Sequence, residues 1–161
     1  VSVNMGKPKF KWNEIPLTKD VNPEDINFSI KDLTLKKPFL VNIGNPHIIF
    51  FDDEIEKYDV ESFGSLIEND NLFPEKINVS FAKLKSDNHI VLNVWERGAG
   101  KTNACGTAAC ATAVAGVEMG LIKNKVTVTL PGGDLEIYYK SSDNIIMTGP
   151  TEINFTDKYK L

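Results

Sequence analysis

The sequence has little of several features that would place it quickly. No apolar run approaches the roughly 20 residues that a bilayer-spanning helix needs, and the longest small-apolar stretch, Ala108 to Val117, is broken by Thr112 and Gly116. That argues against a helical membrane protein. Cysteine occurs only twice, at Cys105 and Cys110, too seldom for a disulfide scaffold or a cysteine-built metal site. The opening VSVNMGKPKFKW lacks the basic-then-apolar layout of a signal peptide, so the expected setting is reducing and cytoplasmic. There is no excess of basic residues: 18 Lys and Arg stand against 22 Asp and Glu, a net charge of -4. Nothing in that balance favours nucleic acid as a partner. No fixed-period repeat, low-complexity tract or Ser/Gly linker divides the chain, which predicts one compact unit.

What is present is an ordinary globular composition. The 161 residues are 42% hydrophobic and 25% charged, enough apolar material for a core. Short β-type runs dominate: Val1 to Met5, Ile26 to Ile30, Phe39 to Ile43, Ile48 to Phe51, Ile77 to Leu84, Ile90 to Val94, Val126 to Leu130, Leu135 to Tyr139 and Ile145 to Met147. Breakers such as Gly44-Asn45-Pro46, Ser86-Asp87-Asn88 and Pro131-Gly132-Gly133 separate them. Two segments read as helices, Val60 to Glu68 and the Ala-rich Thr107 to Met119, and Pro23 to Ile26 as a single turn. Several connections are too short for a crossover helix. Mostly antiparallel pairing in a mixed α+β fold, arranged around the Ala-rich helix, follows.

The densest set of reactive groups runs from Trp95 to Cys110, out of a strand, through a glycine-bearing loop and into the Ala-rich helix. Cys105 falls at the helix start, where unpaired N–H groups and the positive dipole end stabilise a thiolate, so its pKa is expected to be depressed. The amides of Gly106 and Thr107 suit a carboxylate. A small buried cysteine is the plain alternative, and Cys110, among alanines, reads as core. Asn45-Pro46-His47 forms a stiffened bend that brings an amide and an imidazole to one place, although a turn Asn with an incidental His is the bland alternative. Asn78 lies inside a strand run, where Asn is unfavoured. Glu96 and Arg97 end a strand, and His89 falls in a polar, exposed turn.

The segments VNMGKPKF (from Val3), GNPH (Gly44 to His47), LFPEKINVSF (from Leu72), Glu96-Arg97 with GAGKTNACGTAAC, and LPGGDLEI (from Leu130) together resemble, in order, the second half of the diaminopimelate epimerase family. Proline racemase-like and phenazine-synthesis isomerase-like proteins fit less well, notably at the Glu-Arg-Gly loop and the GNPH bend. The resemblance implies a pseudo-symmetric, two-domain α+β enzyme that needs no pyridoxal phosphate or other cofactor. Such an enzyme interconverts the LL and meso forms of diaminopimelate, a step toward lysine and peptidoglycan precursors. By the same resemblance, Cys105 is one of two catalytic cysteines, and Gly106 and Thr107 hold the substrate carboxylate. Asn45 and Asn78 bind its polar groups, Glu96 and Arg97 meet the reacting end, and His47 and Glu96 modulate thiol acidity. Ala108 stands where the family commonly has Gly.

In that family the other catalytic cysteine lies in a first domain. Cys110 does not replace it, because its place inside the helix puts it behind the anion site. The start without Met, already strand-like, adds to the expectation of a fragment: residues 1–147 as the C-terminal catalytic domain and 148–161 as a segment returning to the missing N-terminal domain. A small-molecule substrate, that missing domain and a homodimer are the partners expected. Two rivals stay open, a non-catalytic substrate-binding or subunit-contact module of the same fold, and a Cys-His acyl-transfer enzyme using Cys105 with His47.

Overall fold

The structure, a computed structural model, describes residues 1–151. In chain order the elements are β1 (Ser2–Asn4), a 3-10 turn at Pro23–Asp25, β2 (Asn27–Ile30), β3 (Leu33–Lys36), β4 (Phe39–Asn42), β5 (Pro46–Phe51), a 3-10 turn at Ile55–Lys57, α1 (Val60–Glu68), β6 (Asn78–Ser86), β7 (His89–Glu96), β8 (Gly100–Thr102), α2 (Gly106–Glu118), β9 (Lys125–Leu130), β10 (Gly133–Tyr138) and β11 (Ile146–Thr148). The expected β runs, both helices and the single turn at Pro23 are all present. The sequence pattern missed β3, whose Leu33-Thr34-Leu35-Lys36 alternates too briefly to stand out, and β8, which is hidden in the glycine-bearing loop.

A nine-stranded mixed sheet is ordered β1-β11-β10-β9-β7-β6-β5-β4, with β8 added against β7, while β2 and β3 form a separate hairpin. Most pairs are antiparallel. The two parallel pairs, β5 with β6 and β7 with β9, are the two whose connections contain α1 and α2, as parallel neighbours require a crossover. The class is α+β. Among the described residues no helix is long and apolar enough to cross a membrane.

The sheet carries a helix on each face. Ile49, Ala82, Leu92 and Val94 join the core beneath α2, whereas Ile48, Phe50, Val79 and Phe81 join the core that includes Val60, Phe63 and Ile67 of α1. Burial on both faces explains why β5 reads as an unbroken apolar run. α1 is a one-sided helix with apolar residues at the first, fourth and eighth positions, and it starts where Asp59 Oδ2 accepts from the Ser62 amide at 3.2 Å. α2 is different: every residue from Ala108 to Gly116 is buried. Its alanines let it pack closely, and it ends at Gly120, whose φ of +69° lies in the left-handed region that closes helices.

Two placements differ from expectation. His89 is not in an exposed turn. It opens β7, is half-buried, and its Nε2 pairs with Thr129 Oγ1 at 3.0 Å. The divide between 147 and 148 also does not mark an element boundary, since Thr148 lies inside β11, opposite Ser2 and Glu136. Residues 152–161, most of the expected terminal segment, lie outside the described residues.

Candidate active site

Period-two alternation sets the site. With Ile49, Ala82 and Val94 facing α2, His47, Asn78 and Glu96 face the same way. His47 is near the start of β5, Asn78 opens β6 and Glu96 closes the antiparallel β7, so all three lie at one end of three adjacent strands. The chain then turns through β8 and enters α2 over that end. Cys105 is the N-cap of α2, extended at φ −147° and ψ 101°, and no side chain caps the helix. The Gly106 and Thr107 amides, the first two of α2, are thus left without a side-chain cap.

Four of the expected residues form one connected chain. His47 Nε2 lies 2.9 Å from Asn45 Oδ1, Asn45 Nδ2 donates to Thr107 Oγ1 at 3.3 Å, and Thr107 Oγ1 lies 3.5 Å from Cys105 Sγ. The Asn45 oxygen can only accept, so His47 carries its proton on Nε2. The bend is stiffened by Pro46, the first residue of β5, a strand position that proline tolerates. His47 is fully buried, and its Nδ1 has no partner. Burial, reinforced by the Arg97 charge, lowers its pKa from 6.5 to about 3, which keeps it neutral. Because His47 addresses Asn45 and not the sulfur, a Cys-His nucleophilic pair is not assembled here.

The expectation of a depressed Cys105 pKa is overturned. Cys105 is 6% exposed, and burial raises its thiol above its ordinary value of 9.0; the Thr107 hydroxyl and Ala108 amide pull it down, while the nearby negative Glu96 carboxylate pushes it up. The helix start acts as expected, but desolvation and a facing anion outweigh it. Cys110 is fully buried and raised further, to about 12, first by burial and then by the nearby Cys105. The ranking of the two thiols thus stands while the direction for Cys105 is reversed.

Glu96 and Arg97 leave β7 in a tight turn closed by the Ala99 amide on the Glu96 carbonyl at 3.0 Å. Thr102 Oγ1 of β8 donates to Glu96 Oε1 at 2.6 Å, and Arg97 Nη1 donates to the Glu75 carbonyl at 3.1 Å. Asn78 is 3% exposed and already engaged: its Nδ2 donates to the Pro46 carbonyl at 2.8 Å and its Oδ1 accepts from the Arg97 amide at 2.9 Å. It ties the GNPH bend to the Glu-Arg turn. Beside Cys105 and Gly106 opens a cleft of about 310 Å³, with Leu130, Gly133, Leu135 and Met147 on its other sides. The lining of that cleft does not include Asn45, Asn78, Glu96 or Arg97.

Sequence reasoning missed Glu68 and Thr102. An acidic residue at a helix end reads as a solvated charge, yet Glu68 is 4% exposed. The threonine role was hidden because β8 was not recognised.

Thr107→Val tests the link to the sulfur. Removing the hydroxyl takes away a donor that favours the thiolate, so the pH midpoint of Cys105 alkylation is expected to rise by about one unit. Mass spectrometry of the labelled chain reads it, and Thr107→Ser is expected to restore the original midpoint.

The family model described as diaminopimelate epimerase matches residues 39–154. Curated proteins named diaminopimelate epimerase are similar throughout: that of Methylocella silvestris is 47% identical over 96% of this chain and 55% of its own length, and that of Halothermothrix orenii 47% over 98% and 56%. The chain spans about half the length of the curated relatives it matches. Among solved structures, a phenazine biosynthesis PhzF-family protein from Enterococcus faecalis aligns with a TM-score of 0.46 at 19% identity, covering 61% of this chain and 35% of that one.

Proposed function

The chain belongs to the diaminopimelate epimerase family, and we propose that it forms the Cys105-bearing half of a cytoplasmic, cofactor-independent epimerase acting on the α-carbon of LL- and meso-diaminopimelate. The observation that carries the reading is the position of Cys105: it lies at the side-chain-uncapped start of α2, bridged to Thr107 and Asn45, opposite Glu96 and beside an open cleft. On this reading residues 1–147 form the C-terminal catalytic domain, with α2 at the centre of one of two pseudo-symmetric halves. The N-terminal half is the obligatory partner, and a homodimer is the assembly expected of the whole.

The chemistry follows from the groups present. Removing an α-proton leaves charge developing on the substrate carboxylate, and the Gly106 and Thr107 amides are aimed to receive it. Inversion requires one group to take the proton from one face of the carbon and another to return a proton to the opposite face. Burial and Glu96 hold Cys105 as the thiol in the free chain, so Cys105 begins as the donor. It gives its proton to the carbanion while a thiolate from the N-terminal half removes the original one. In the reverse direction the Cys105 thiolate is the base. Arg97 contacts the reacting end of the substrate, and Asn45 and Asn78 use their remaining hydrogen-bonding capacity on its polar groups. His47 acts on the thiol only through Asn45 and Thr107.

The test is turnover of LL-diaminopimelate, followed by chiral chromatography. The chain joined to the remaining half found in its relatives is expected to form the meso isomer, and failure of the joined protein to do so would favour the non-catalytic module.

A further inference from the structure

Glu68 is a carboxylate in an awkward place. It is the last residue of α1, where the helix dipole disfavours negative charge, and it is 4% exposed. Burial of such a group is costly unless it is fully hydrogen-bonded. Its partners are specific. Oε2 accepts from the Trp95 indole Nε1 at 2.8 Å, Oε1 accepts from the Gly98 amide at 2.8 Å, and Lys76 Nζ lies 3.8 Å away. Trp95 and Gly98 immediately flank Glu96 and Arg97.

The rest of α1 is shaped for the same purpose. Gly64 is one turn before Glu68, on the same face of the helix, and a Cβ there would overlap the Trp95 ring. The helix thus offers a gap for the indole and an acceptor for its N–H. From the other face of the sheet, Asn78 Oδ1 holds the Arg97 amide. Successive amides of the turn, those of Arg97 and Gly98, are therefore fastened by side chains from different elements. One carboxylate thereby serves both the indole N–H and the Gly98 amide.

We propose that Glu68 is a positioning residue: by gripping both ends of the Trp95–Gly98 turn it sets Glu96 against Cys105 and Arg97 toward the substrate side. The proposal rests on the epimerase reading for what Arg97 does, but not for the placement of Glu96. Two titratable groups are coupled to Cys105: Glu96 from the end of β7, whose charge raises the thiol, and Cys110 of α2, which Cys105 in turn raises. Of these only Glu96 moves with the turn.

The experiment is cysteine alkylation of the 161-residue chain as a function of pH, read at Cys105 by mass spectrometry, in Glu68→Gln and Trp95→Phe. Glutamine supplies one carbonyl oxygen where two donors need acceptors, so the turn slackens and Glu96 withdraws. The Cys105 midpoint is expected to fall by roughly half a unit to one unit, which makes alkylation about three- to tenfold faster below the midpoint. Trp95→Phe keeps the ring over Gly64 and the Gly98 bond, and is expected to shift the midpoint in the same direction by less. A lower melting temperature with an unchanged midpoint in both variants would mean that Glu68 merely braces the fold, and would overturn the proposal. Where Glu68→Gln does not fold, Trp95→Phe decides alone by the same criterion. No substrate is used, so failure of the epimerase reading and failure of this one are separately visible.

Discussion

Cys105→Ala in the chain joined to its N-terminal half is expected to lower epimerase turnover by about 10³-fold or more, whereas Cys110→Ala leaves it within a few-fold of the parent. A group that transfers a proton in the rate-determining transition state contributes about 10²- to 10⁴-fold, and Cys105 has no substitute. Cys110 is fully buried in α2 with its thiol pushed up to about 12, and His47 is turned to Asn45. Glu96 is held by the Thr102 hydroxyl at 2.6 Å. Substrate binding should survive, since the Gly106 and Thr107 amides belong to the backbone. The loss is therefore expected in kcat, with KM little changed. Equal losses from the two cysteine substitutions would contradict the assignment.

The second large effect concerns stability in acid. His47 titrates near 6.5 when unfolded but at about 3 when folded, because burial and then Arg97 disfavour its cation. Between those values the unfolded chain binds a proton that the folded chain refuses, so stability falls as pH falls. The stabilisation relative to acid is intact above about pH 6.5 and is lost progressively toward pH 3. Each unit inside the window costs about 1.4 kcal/mol, which amounts to roughly 2–3 kcal/mol between about pH 7 and pH 4.5. Below about pH 5 the carboxylates Asp52, Glu56 and Asp59, all held low by hydrogen bonds or nearby lysines, begin to add their own losses, so the upper part of the window isolates the histidine. Urea unfolding at several pH values is the measurement. His47→Gln is expected to remove most of the dependence above about pH 4.5, and an equally steep dependence in that variant would assign it elsewhere.

Much of this architecture is legible before any coordinates. The apolar run of β5 and the spacing of Val60, Phe63 and Ile67 mark their elements because burial writes itself into periodicity. The Ala-rich stretch marks α2, and Cys105 falls at its start. The short strands β3 and β8 escape because three or four residues carry no period. Thr102 escapes with β8, since its role toward Glu96 exists only after the chain has folded back on β7. Glu68 is illegible for another reason: a helix-end carboxylate looks solvated until Trp95 and Gly98 arrive from a distant part of the chain. The direction of the Cys105 shift escapes the sequence on the same ground. Helix position is local and can be read in sequence, whereas burial and the facing Glu96 are tertiary and prove stronger.

The central claim is that Cys105 exchanges a proton with the substrate α-carbon and needs a partner on the opposite face. Incorporation of deuterium at the α-carbon of diaminopimelate in heavy water tests it most directly, with the 161-residue chain assayed alone and then mixed with a separately made N-terminal half. The account predicts no exchange above background by the chain alone, exchange with epimerisation on mixing, and loss of both in Cys105→Ala. Robust exchange by the lone chain, or exchange in the mixture that survives Cys105→Ala, would contradict it.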